Sequence, residues 1–144
     1  MDAAFFEPPP ASAAQRMLAS AGAAGMSAGA ALVWYFDPTK AGFFPVCPLY
    51  SLTGLACPGC GLTRGFHALF HGNLVTALDY NALIPVFVLA FLFLVLTLIS
   101  IAVRGKGLVR ISASPPFLIG TLVLLLVFGV LRNLPVYPFT VLYP

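Results

Sequence analysis

Two stretches of this chain, residues 17–36 and 82–103, run for twenty and twenty-two residues without a charged side chain. An α-helix rises about 1.5 Å per residue, so each stretch covers the roughly 30 Å hydrocarbon core of a bilayer. Inside lipid every backbone N–H and C=O must be satisfied within the segment, and an isolated run does that only as a helix. Hydrophobic residues make up 60% of the chain and charged residues 8%, where soluble domains carry about a quarter charged residues. A third apolar run begins at Phe117, after Pro115-Pro116. Extended to residue 134 it reaches about 27 Å, with Arg132 snorkelling to the headgroups. The expectation is therefore an all-α integral membrane protein. It has about three transmembrane helices, over 17–36, 82–103 and 117–134, in a single membrane domain of residues 17–144. Residues 1–16, with Asp2, Glu7 and Pro8-Pro9-Pro10, read as a disordered head.

The ends of these runs carry boundary signals. Trp34 and Tyr35 close the first as an interfacial belt, and Asp37-Pro38 stops the helix. Ala21, Gly25 and Gly29 lie at i, i+4, i+8, a small-residue face that suits a helix–helix partner in lipid. An alanine-rich helix also produces such spacings by chance. Asn81 can cap the second run, with Pro85 in its first turn. Residues 135–144, with Tyr137, Phe139 and Tyr143 among prolines, read as an interfacial tail. Arg16, Arg104, Lys106 and Arg110 fall on one side of the spans; Lys40, Arg64 and Arg132 fall on the other. The positive-inside rule places the first group in the cytoplasm and turns the 37–81 connection outward. The basic residues are scattered and the net charge is only +3, which argues against nucleic acid. The partner implied by composition is the lipid bilayer.

The 37–81 connection is the chemically distinctive part. It holds all three cysteines, Cys47, Cys57 and Cys60. Pro58, Gly59 and Gly61 make a tight turn. The pattern then predicts a short helix over 62–71 with Gly72 at its C′ position, and a second over 74–80 capped by Asn73. Leu62, Phe66, Leu69 and Phe70 give the first an apolar face. The two short helices of the 47–80 connection are therefore expected to be interfacial or re-entrant.

Cys47-Pro, Leu52-Thr53-Gly54, Cys57-Pro-Gly-Cys60-Gly-Leu-Thr63-Arg64, Gly72-Asn73 and Asn81 before a long apolar helix together resemble one family. It is the family of bacterial membrane proteins called domain of unknown function 2752. The resemblance covers Cys47 to the middle of the second span and implies a small inner-membrane protein. It implies no activity.

The residues themselves leave several chemistries open. Cys57 and Cys60 form a C-x-x-C before a helix, but the βαβ context of thioredoxin-like proteins is absent. A structural disulfide, or packed thiols shaping the turn, fits an outward-facing loop. An odd number of cysteines cannot pair completely within one chain. Alternatively Cys47, Cys57, Cys60, His67 and His71 offer a ligand set for zinc or copper, with the two histidines one turn apart on a helix. Disulfide exchange at Cys57/Cys60 is a further alternative. Arg64 in a lipid boundary needs a partner. Asp79 is the natural one for a structural clamp, and a lipid phosphate at residues 61–63 is the functional one. No paired carboxylates, nucleophile elbow or phosphate loop occurs. The leading expectation is a non-enzymatic structural or interaction module whose Cys-Pro-Gly-Cys-Gly-x-Thr-Arg motif shapes an interfacial helical hairpin. The alternatives are a thiol-based metal or disulfide-exchange site, or an accessory subunit of a transport or assembly complex.

Overall fold

The computed structural model describes residues 10–108 and 115–137. Among them are six α-helices and no strand: α1 (Ala13–Tyr35), α2 (Pro48–Thr53), α3 (Leu62–Phe70), α4 (Leu74–Tyr80), α5 (Ile84–Arg104) and α6 (Pro115–Leu131). Asp2, Glu7, Arg110, Phe139 and Tyr143 lie outside the described residues. Two helices, α1 and α5, are long and apolar enough to cross a membrane. A core helix of a soluble protein would be mostly covered. Here 11% of the most apolar window of α1 and 6% of that of α5 is buried.

The third span expected over 117–134 is shorter than that. Helix α6 has 17 residues and ends at Leu131. Its last turn tightens, with Asn133 N–H donating to Val130 O and Leu134 N–H to Leu131 O. Arg132 does not snorkel: it is fully buried, at 0% exposure. The cause is local. The side chains of Arg132 and Asn133 are drawn to backbone groups of residues 56–60 and leave the helical path.

The chain groups into two compact units. Of the described residues, the first contains 10–29 and 89–108. In it α1 starts at Ala13, earlier than the apolar run, because Ser12 and Gln15 form a reciprocal capping box. Ser12 N–H donates to Gln15 Oε1 at 2.8 Å and Gln15 N–H to Ser12 Oγ at 3.3 Å. Arg16 donates from Nε to Ala102 O and from Nη2 to Val103 O, both at 2.9 Å. It thereby satisfies carbonyls that the end of α5 leaves open. Ala19 and Ala23 are the buried small residues of α1, and Gly22 faces Leu98. Ala21, Gly25 and Gly29 are exposed, and nothing lies within 4 Å of where a Cβ on Gly25 or Gly29 would sit.

Of the described residues, the second unit contains 30–88 and 115–137. Its core is Ala68, Ala77 and Ile84, with Leu62, Phe66, Leu69 and Val88 against it. Helices α3 and α4 form a tight hairpin. Gly65 is where they approach: a Cβ there would sit 2.7 Å from Ile84 Cδ1 and 3.2 Å from Ala77 O. Gly72, with φ of 81°, turns the chain between them. Asn73 starts α4 without a side-chain cap bond, contrary to the expected cap.

Candidate metal centre

Three cysteine sulfurs meet in the second unit. Cys47 precedes α2, whose first residue is Pro48, a residue suited to a helix start because its missing N–H would have no partner there. Gly54 ends α2 with φ of 73°. The chain then returns through Leu55 and Ala56 to the Cys57-Pro-Gly-Cys60 turn. Cys60 N–H donates to Cys57 O at 3.0 Å and Leu62 N–H to Gly59 O at 3.1 Å. Gly61, with φ of 82°, leads directly into α3. This return sets Cys47 Sγ 3.3 Å from Cys57 Sγ, and Cys57 Sγ 3.4 Å from Cys60 Sγ. All three sulfurs lie within 4.8 Å of one another.

The turn is held from outside by three side chains. Asn81, 1% exposed, donates from Nδ2 to Pro58 O at 2.8 Å and Cys60 O at 3.0 Å. Its Oδ1 accepts from Leu83 N–H at 2.9 Å, so Asn81 also caps the approach to α5, as expected. Arg132 Nη1 donates to Cys57 O at 2.9 Å and Cys60 O at 3.1 Å. Asn133 takes both backbone groups of Ala56, accepting its N–H and donating to its C=O at 2.8 Å each. It also donates to Gly129 O at 2.7 Å. Gly129 lets Pro58 approach, since a Cβ there would stand 3.1 Å from Pro58 Cγ. Arg132 and Asn133 carry no motif that would link them to the cysteines, and sequence reasoning missed them.

The thiols are electrostatically unlike. The Tyr50 backbone N–H, then the Cys57 side chain, draw the Cys47 pKa down to about 7. Burial, then the neighbouring Cys57 and Cys47 sulfurs, push Cys60 up to about 12. One thiolate therefore forms readily and a second beside it is opposed.

The fit to a metal can be tested on these distances. Four sulfurs at about 2.3 Å around a tetrahedral zinc stand roughly 3.8 Å apart. The Cys47–Cys57 and Cys57–Cys60 pairs would separate by a few tenths of an ångström to match, a change within reach of cysteine side-chain rotation. The three cysteines line a cleft of about 460 Å³, bounded also by Phe44, Tyr50, Thr63 and Arg64.

The other residues singled out from sequence lie elsewhere. His67 Nδ1 donates to Val33 O at 2.7 Å and His71 Nδ1 to His67 O at 2.9 Å, the carbonyls fixing which nitrogen carries the proton. Neither histidine joins the sulfur cluster. Their rings lie 4.4 Å apart, and His71 stacks on Trp34 at 6.4 Å. Arg64 is exposed and sits 5.9 Å over the Tyr80 ring, with no ion pair to Asp79. Among the described residues the one salt bridge is Lys40–Asp37, at 3.4 Å. The expected Arg64–Asp79 clamp is thus replaced by a cation–π contact, because α4 presents Tyr80 to Arg64.

Residues 47–95 match the family described as "Protein of unknown function (DUF2752)", the family that the cysteine motif resembles. The matched stretch contains the three cysteines, Arg64 and Asn81, and stops short of Arg132 and Asn133. No curated protein and no solved structure matches the chain.

Proposed function

We propose that this protein is a membrane-anchored thiolate site. In it Cys47, Cys57 and Cys60 hold a thiophilic closed-shell cation, zinc(II) or copper(I). The observation that carries this reading is the convergence of three sulfurs within 4.8 Å from two separate stretches of chain. A turn that needed cysteines only for its shape would not need Cys47. Asn81, Arg132 and Asn133 already hold the turn through its backbone. They also suit an outer shell, which in metal sites fixes the ligands and tunes affinity.

Helices α1 and α5 supply the anchor, with most of their surface open to lipid. The excess of basic residues around Arg16 and Arg104–Lys106 favours a cytoplasmic location for those ends, and an outward-facing sulfur site in a bacterial inner membrane. The chain acts here as a binding protein and not as an enzyme.

A second reading, thiol–disulfide exchange, is favoured by one detail: Cys57 stands within 3.4 Å of both other sulfurs. Elemental analysis and a free-thiol count on one sample of the full chain in detergent separate the two. Metal binding gives one zinc or copper per chain, with three thiols released by chelator and denaturant. Disulfide exchange gives no metal and a single free thiol. Three free thiols without metal would sink both.

A further inference from the structure

We propose that the protein leaves the fourth coordination position of the three-sulfur site to an exogenous thiolate of small-molecule size. This ligand enters through the adjoining cleft and is held by Arg64. The inference rests on the metal reading above and names the ligand class that the same site would take.

Three observations carry it. First, among the described residues three cysteine sulfurs form the cluster, and no histidine or carboxylate joins them. His67 and His71 are the nearest imidazoles in sequence, and neither lines the cleft. Structural zinc sites close with four protein ligands, whereas sites that exchange a ligand keep three and an open position. Second, all three cysteines line one cleft of about 460 Å³. That volume falls within the range of small-molecule sites, roughly 300–1,000 Å³. Third, the lining selects the ligand. Arg64 and Thr63 offer a cation and a hydroxyl, and no carboxylate is among the described residues that line the cleft. Phe44, Val46 and Tyr50 offer apolar walls for an organic body. A soft or borderline cation already on three thiolates prefers a further thiolate over an oxygen donor. The incoming thiol loses its proton to solvent on coordination, and its sulfur forms the fourth metal–sulfur bond. No oxidation state changes. Arg64 offsets the added negative charge; its contact with Tyr80 covers a ring face and leaves the guanidinium N–H groups available.

The test uses the full chain in lipid nanodiscs, loaded with cobalt(II) as a spectroscopic substitute and titrated with 2-mercaptoethanol. Cobalt binding with sulfur-to-metal charge-transfer absorption, lost in Cys57→Ala, tests the underlying reading. If that absorption never appears, both readings fall. If it appears, 2-mercaptoethanol should raise it by about one third, as three sulfur ligands become four. Arg64→Gln should leave the starting spectrum unchanged and weaken the thiol titration roughly tenfold or more; Arg64→Lys should restore part of the loss. A spectrum indifferent to thiol, or cobalt stripped without a four-sulfur species, would overturn the open position and leave the metal site standing. An Arg64→Gln titration identical to that of the unaltered protein would overturn the assignment of Arg64.

Discussion

Asn133 is a single side chain on which three backbone groups depend, and replacing it by leucine measures how firmly the cysteine turn is held. Leucine keeps the branching and removes every polar atom. Lost are the bonds to Ala56 N–H, Ala56 C=O and Gly129 C=O, at 2.8, 2.8 and 2.7 Å. Each is worth about 1 kcal/mol net. Ala56 is 1% exposed, so its N–H cannot turn to solvent for a replacement. The expected loss is about 3 kcal/mol, or two orders of magnitude in the folding equilibrium, out of a typical stability of about 5–15 kcal/mol. The assay is reversible SDS titration in mixed micelles. Fluorescence of the one tryptophan, Trp34, provides the signal, since its stacking on His71 reports on this unit. Asn73→Leu is the control, because Asn73 makes no side-chain cap bond, and should stay within about 0.5 kcal/mol of the unaltered protein. Metal affinity of Asn133→Leu should fall by about 10–100-fold, as for other outer-shell changes. If Asn133→Leu and Asn73→Leu cost the same and bind metal equally, the turn is not held in the way described.

Three further outcomes are expected. Gly65→Ala should destabilise by about 1–2 kcal/mol in the same titration, since overpacking against Ile84 and Ala77 O outweighs the helix propensity gained; adding Ile84→Val should recover part of it. Arg16→Gln should cost about 1 kcal/mol, because Ala102 and Val103 lose their donor at an exposed site where solvent competes. In chelator-treated protein the alkylation rate of Cys47 should reach half its plateau near pH 7, while Cys60 stays unreactive until the pH approaches 12. The matching stability contributions have opposite signs. That of Cys47, whose folded pKa is lowered, is present above the ordinary thiol range and lost as the pH falls through about 7. That of Cys60, whose folded pKa is raised, is present below the ordinary thiol range and lost as the pH rises through about 12.

The local signals in the sequence were faithful where the cause of structure was local. The apolar runs became α1 and α5, and Gly61, Gly72 and the face of Leu62, Phe66 and Leu69 set the α3–α4 hairpin. Failures came where distant contacts won. Arg132 and Asn133 read as the polar end of a span, yet more than seventy residues separate them from the backbone groups they hold, and no periodicity records that. Helix α2 was hidden in a loop rich in turn residues, although Pro48 and Gly54 mark its ends. The sequence offers Ala21, Gly25 and Gly29 as a small-residue face, whereas the contact with Leu98 uses Gly22. For the site, the cysteine set was legible by type, and the histidines were not excluded by spacing. What excludes them is their hydrogen bonds to the carbonyls of Val33 and His67, which only the folded chain shows.

X-ray absorption at the zinc or copper edge of the protein as purified in detergent counts ligands by element, and so examines the three-sulfur site most directly. We expect a first shell of three sulfurs at about 2.3 Å with at most one further ligand, collapsing in Cys47→Ser as well as in Cys57→Ala. A shell of nitrogen and oxygen with imidazole scattering, unchanged in those variants, would contradict the assignment and move any metal to His67 and His71.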